Sequence, residues 1–286
     1  MGDAVPAAPG WSGAAGALLR SAHPVPAAAV TIFTTALAAA AGNSAITCAA
    51  VAIAVGAGQL SIGWSNDRID AARDLHVGRR DKPLATGELP VRVAETAIAA
   101  AVLVTVAVSF LLGWRAALVH LLAVGCGWLY NVGLKTTWLS WLPYGVAFGA
   151  LPAIATFALP AHPAPAWWAV VAGALLGVTA HLTNVLPDLA DDARTGIAGF
   201  PHRIGARASL VLAAAASVAA SAVLVLGPAG SPSLVRTAGL ALAALCAVAG
   251  AVAAWRQPET RWAFLGTVAV AALDVILLVL GPGFAT

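Results

Sequence analysis

Charge is what this sequence has least of. Only 9% of its 286 residues are Asp, Glu, Lys or Arg, against 60% hydrophobic, where a soluble domain carries about 25% charged residues. A soluble surface must present charges to water, so this composition excludes a soluble globular domain and leaves lipid as the solvent. The net charge of +3 gives no evidence for nucleic-acid binding. Cysteine is scarce as well: Cys48, Cys126 and Cys246 fall inside apolar stretches with no pairing motif and read as core residues. A basic n-region is missing from the start, so residues 1–18, rich in Ala, Gly and Pro, read as a disordered tail and not as a secretory signal. Pro6 breaks the myristoylation pattern that Met1-Gly2 opens.

What is present is a series of long runs without a charge, at 21–66, 96–114, 116–134, 136–187, 208–235, 237–255 and 262–273. A spanning helix needs roughly 20 apolar residues. The first run is broken at Gly42-Asn43-Ser44 and the fourth at Pro160-Ala161-His162-Pro163, so each holds two spans, and a last span continues past Asp274. The expected fold is an all-α polytopic membrane protein, residues 19–286, with nine spans at about 24–41, 45–65, 92–112, 115–132, 139–159, 166–186, 208–226, 234–254 and 262–281.

With the N-terminus cytoplasmic, thirteen of the fifteen Lys and Arg residues fall on the inner side, and only Arg115 and Arg236 fall outside. That bias predicts a cytoplasmic N-terminus and an external C-terminus. Acids follow the same asymmetry, which orientation does not require. Asp67, Asp70, Asp74, Asp81, Glu88 and Glu95 sit between spans 2 and 3, and Asp188, Asp191 and Asp192 between spans 6 and 7.

Those two acidic segments align without gaps at an offset of 118 residues. Asn66 meets Asn184, Asp70 meets Asp188, Asp74 meets Asp192, Gly78 meets Gly196, Pro83 meets Pro201 and Gly87 meets Gly205. Four spans separate the copies, an even number, so both face the same side, as in a parallel repeat. Within each copy the polar positions recur every fourth residue, which on a helix places them along one face. Pro187 predicts a kink or break in the second copy just above Asp188.

Facing carboxylates repel one another unless cations lie between them. Oxygen-only ligands favour hard cations, Mg²⁺ above all where a phosphate completes the shell. Arg68, Arg73, Arg79, Arg80, Lys82, Lys135, Arg194 and Arg203 add donors for phosphate oxygens. Carboxylates, a divalent metal and a basic rim together describe a diphosphate site.

These residues resemble the UbiA superfamily of intramembrane prenyltransferases. Asn66-Asp67-Arg68-Ile69-Asp70-Ala71-Ala72-Arg73-Asp74 is similar to its NDxxDxxxD motif, and Asp81-Lys82-Pro83-Leu84-Ala85-Thr86-Gly87 to the segment that follows. Asp188-Leu189-Ala190-Asp191-Asp192 resembles the second DxxxD motif, and Tyr130-Asn131 with Lys135 the YSxxLK segment. Gly199-Phe200-Pro201-His202-Arg203-Ile204-Gly205 is a variant of the TLPxxLG tail, and His23 stands where many members acting on aromatic acids keep Arg before Pro. The resemblance implies nine helices around a central cavity, with short cap helices in the two acidic loops. It implies Mg²⁺-dependent transfer of an isoprenyl group from its diphosphate to a small, usually aromatic acceptor, with membrane lipid as surroundings and no obligate protein partner. Carried over by position, Asn66, Asp70, Asp74, Asp188 and Asp192 bind Mg²⁺, with Asp70, Asp188 and Lys135 as the catalytic set. Asn66 again, with Arg68, Arg73, Lys82, Tyr130, Asn131, Asn184 and Arg203, binds substrate, Tyr130 on the acceptor side.

An alternative within the family is a terpene cyclase acting on a prenyl diphosphate alone. A secondary transporter or lipid carrier, the rival from another class, predicts ionisable residues near mid-membrane, whereas here the acids gather at one surface. Asp274, inside the last span, is either a functional acid or a group hydrogen-bonded within the bundle. His120 and His181 read as packed residues, while Trp138, Trp141, Trp167 and Trp168 read as an interfacial belt. Trp64, Trp128 and Phe148 are expected to line an isoprenoid tunnel.

Overall fold

The computed structural model describes residues 11–194, 196–257, 260–281 and 283–286. Twelve helices follow one another along these residues: α1 Trp11–Ser21, α2 Pro24–Ala40, α3 Ala45–His76, α4 Val91–Leu111, α5 Trp114–Val132, α6 Leu142–Phe157, α7 Trp167–Val185, α8 Leu189–Arg194, α9 Phe200–Ile204, α10 Ala206–Leu226, α11 Leu234–Arg256 and α12 Trp262–Val279. Among the described residues no strand forms, and the only β feature is an isolated bridge between Pro165 and Ala285. In lipid a helix satisfies its own backbone groups, which is why an apolar sequence of this length takes this form.

The chain is an integral, multi-pass membrane protein. Six helices are long and apolar enough to cross a bilayer, namely α3, α4, α7 with its extension to Asp188, α10, α11 and α12. A seventh crossing results if α1 and α2, bent by 67° against each other, are taken together, while α6 is apolar but only 16 residues long. Each of the nine expected spans coincides with a helix to within a few residues, except that α3 runs on for 32 residues to His76.

The expected disorder of residues 1–18 does not extend to Trp11, where α1 begins; residues 1–10 lie outside the described residues. Corner residue His23 adopts a left-handed conformation (φ 50°) just before Pro24. Trp168 also departs from expectation, since it is 6% exposed and belongs to the core, whereas its neighbour Trp167 is 64% exposed. Alternate faces of one helix explain the difference.

Neighbouring helices pack in sequence order, and α12 closes back on α2 and α7. Close approach is set by small residues, as expected where lipid supplies no hydrophobic drive between helices. A Cβ on Gly173 would lie 2.6 Å from the Phe148 carbonyl oxygen, and one on Gly177 2.3 Å from that of Tyr144. These glycines hold α6 and α7 backbone to backbone. At the far end, Ala166 N–H donates to the Phe284 carbonyl (2.7 Å) and Thr286 N–H to that of Ala164 (2.9 Å), with Phe284 buried in the main apolar core.

The internal duplication is written into the backbone. Gly78 and Gly196 take φ values of +74° and +79°, and Gly87 and Gly205 take +77° and +83°, a region open to glycine and rarely to other residues. The copies differ where the proline predicts. The first acidic motif rides on unbroken α3, whereas α7 stops at Val185, a 3₁₀ turn spans Leu186–Asp188, and α8 restarts at Leu189. The connection from 77 to 90 forms turns without a helix.

Candidate active site

The C-terminal turns of α3 carry three buried carboxylates, Asp67, Asp70 and Asp74, at 2%, 6% and 6% exposure. Buried charges need compensation, and each here has a cation. Lys135, on the 3₁₀ turn after α5, donates to Asp70 at 2.5 Å, and Arg73 reaches the other oxygen of Asp70 at 2.7 Å. Lys82 donates to Asp67 at 2.7 Å, with His23 Nε2 2.9 Å from the same oxygen. The second oxygen of Asp67 is buried without a hydrogen-bond partner.

Arg79 joins the two acidic segments. Its guanidinium grips Asp81 through two hydrogen bonds of 2.9 Å and lies 3.4 Å from Asp188, with Asp74 in electrostatic reach. The Asp81 hydrogen bond, ahead of the attraction of Asp188 and Asp74, raises Arg79 above its usual pKa, and Arg79 in turn lowers Asp81 to about 2. Tyr130 is a second junction, within electrostatic reach of Asp70 from the first motif and Asp192 from the second. Asp192 also lies 3.3 Å from His202 Nε2.

Three expected ligands take other places. Arg68 sits on the opposite side of α3 from Asp70 and pairs with Glu95 at 2.9 Å on the exposed flank, because two residues along a helix is about 200° of rotation. Arg203 donates to the carbonyl of Ala198 at 2.6 Å and lies over the ring of Trp138 at 5.1 Å, bracing α9. Asn131 is 2% exposed and tied to Ile62, Ser65 and Asn66, so it stitches α5 to α3. Asn66 is part-buried through that contact, and Asn184 is exposed and hydrogen-bonded to Tyr144.

Sequence reasoning left Arg79 among the phosphate donors without singling it out, and its place five residues past Asp74, the end of the first motif, was the available signal. It also passed over the network around Ser140. Ser140 Oγ accepts the Phe200 N–H at 2.8 Å and lies 3.0 Å from His181 Nε2. Gly199, one of the departures from the usual tail, allows this contact, since a Cβ there would lie 2.5 Å from the Lys135 carbonyl oxygen. Tyr130 and Tyr144 meet edge to face at 5.2 Å, and Tyr144 continues to Phe148 at 6.3 Å, making an aromatic wall on the core side of the charges. Trp128 lines a 330 Å³ crevice between α3, α4 and α5, and Trp64 donates to the Leu18 carbonyl, tying α3 to α1.

Fold and site together define an all-helical membrane protein that gathers carboxylates and cations from two related segments. The chain belongs to the UbiA prenyltransferase family, whose family model matches residues 11–279, and it is a prenyltransferase. The apo structure of a UbiA homolog from Aeropyrum pernix K1 superposes with TM-score 0.70 at 21% identity, covering 87% of this chain and 97% of that one. A UbiA homolog from Archaeoglobus fulgidus bound to GPP and Mg²⁺ gives TM-score 0.70 at 15% identity, covering 91% and 97%. A digeranylgeranylglyceryl phosphate synthase gives 0.62 at 14%, covering 93% and 96%. At these identities the likeness is one of fold. No curated protein matches the chain.

Proposed function

We propose that this prenyltransferase moves an isoprenyl group from its diphosphate to a small aromatic acceptor, with Mg²⁺. The observation that carries the reading is the meeting of two acidic segments through Arg79 and Tyr130, with Lys135, Arg73 and Lys82 among the acids. In this reading nine helices surround the site, α8 and α9 cap it, and the acidic loops and N-terminus are cytoplasmic.

The donor set suits Mg²⁺. Asn66, Asp70, Asp74, Asp188 and Asp192 offer oxygen ligands, and among the described residues no three His, Cys, Asp or Glu side chains lie together closely enough to hold an ion by themselves. Mg²⁺ commonly binds through one or two carboxylates, with substrate phosphates completing the shell. When bound it would withdraw charge from the diphosphate as a Lewis acid.

The chain's own residues do the remaining work. Lys135 and Arg73 turn from Asp70 towards the diphosphate, and Lys82 and Arg79 supply further donors, so that charge on the leaving group is met as it develops. Tyr130 and Tyr144 present π faces to the allylic cation. The apolar bundle beneath excludes water that would capture that cation as an alcohol.

The test is a product screen of purified protein in lipid nanodiscs. Geranyl, farnesyl and geranylgeranyl diphosphates are each paired with hydroxylated aromatic acceptors and Mg²⁺, with acceptor-free controls. A prenylated aromatic product is expected. A cyclic hydrocarbon or alcohol formed without acceptor, or no prenylated product from any aromatic acceptor, overturns the reading.

A further inference from the structure

His181 has one ring nitrogen accounted for and one left over. The residue is 1% exposed on α7, one turn coreward of Asn184. Its Nε2 faces Ser140 Oγ at 3.0 Å, while Ser140 Oγ already accepts from Phe200 N–H. Its Nδ1 is buried without a partner.

Counting donors assigns the proton. Were Nε2–H to donate to Ser140, the serine hydrogen and the Nδ1 lone pair would both be left unused. With Ser140 donating to Nε2, the serine is satisfied and only Nδ1–H remains. The second arrangement leaves fewer orphans, so the imidazole proton belongs on Nδ1. A buried donor without a partner costs about 1–3 kcal/mol, a penalty removed when an oxygen arrives.

The surroundings say which oxygen. Tyr130 stands edge-on to the imidazole at 5.6 Å, Tyr144 is tilted against it at 5.0 Å, and Phe148 stacks on Tyr144. These rings pack directly on the imidazole, and aromatic surroundings of this kind favour a flat ring as the next neighbour. A diphosphate has the cations Lys135, Arg73 and Lys82 to bind, and a neutral N–H among aromatics suits an uncharged oxygen. We infer that His181 Nδ1–H holds the oxygen substituent of the prenyl acceptor, which is therefore an aromatic ring bearing a hydroxyl or carbonyl group. The inference rests on the transferase reading above and adds the residue that orients the acceptor.

Two substitutions separate this role from a structural one. His181→Asn keeps an N–H close to the Nδ1 position and loses the reach to Ser140. His181→Gln keeps that reach and loses the Nδ1 donor. The probes are 1-naphthol and naphthalene, identical except for the hydroxyl, titrated calorimetrically into protein in nanodiscs with empty nanodiscs subtracted. Wild type is expected to bind 1-naphthol about tenfold more tightly than naphthalene, the scale of one net hydrogen bond. His181→Asn keeps most of that ratio and His181→Gln loses it, while geranyl diphosphate affinity stays constant in both. A wild-type ratio near one, a ratio kept in His181→Gln, a ratio lost in both variants, or a fall in geranyl diphosphate affinity each overturns the inference. Absence of prenyl transfer by wild type in the product screen sinks the function reading separately, because the binding ratio is measured without turnover.

Discussion

Asp70 has two cationic partners, Lys135 and Arg73, and Asp188 has Arg79. Amide replacement keeps the volume and removes the charge that both metal and cations require. Asp70→Asn and Asp188→Asn are each expected to lower kcat by about 100-fold or more, the scale of losing one preorganised electrostatic contact. Without substrate, Asp188→Asn should melt near wild type, since that side chain is half exposed, whereas Asp70→Asn leaves buried Lys135 without its counter-charge and should also melt lower. Full Mg²⁺-dependent turnover in either variant contradicts the assignment. Asp81 gives a different, pH-dependent signal. Its pKa is lowered to about 2 from 3.8, chiefly by the hydrogen bond from Arg79. A depressed carboxylate contributes stability that is present above about pH 4 and lost as pH falls towards 2. Thermal melts from pH 6 to 3 should therefore show a smaller acid-induced loss for Arg79→Gln than for wild type. Asp81 is largely exposed, so screening keeps the difference small. Identical acid slopes in the two proteins would argue against the pair.

At the scale of elements, helix positions were readable because apolar length is a strong signal and nothing in lipid competes with it. The spacing of Asn66, Asp70 and Asp74 likewise announced a shared helix face, and Pro187 announced the break in the second copy. Legibility ended where one element meets another. Arg68 and Arg203 carry the right charge for phosphate, yet Glu95 and the Ala198 carbonyl claim them, and charge alone says nothing of rotation about a helix axis. The pairing of α6 with α7 through Gly173 and Gly177 was equally hidden, since spacing of small residues does not name the partner helix. That contact is testable. Gly177→Ala places a methyl 2.3 Å from the Tyr144 carbonyl oxygen, with backbone that cannot swing aside. Overpacking of this kind costs about 1–3 kcal/mol, and by pushing Tyr144 off His181 it should also depress activity. A variant as stable and active as wild type would show that the two backbones separate freely.

For the whole molecule, the charge asymmetry predicts one orientation. Single cysteines at Thr86 and at Ser231, in a background lacking Cys48, Cys126 and Cys246, should react with a membrane-impermeant maleimide from opposite sides. Thr86 is expected to label in inverted vesicles and Ser231 in intact cells; the reverse pattern rejects the orientation. The two halves of the duplicated site also differ mechanically. Asp67, Asp70 and Asp74 are mounted on a single rod of 32 residues, whereas Asp188 and Asp192 are mounted beyond a proline-marked joint in the backbone ladder. In the proposed clamp one jaw therefore stands on a continuous ladder and the other past a break in it, so closing on an incoming anion is expected to come from travel of the second side.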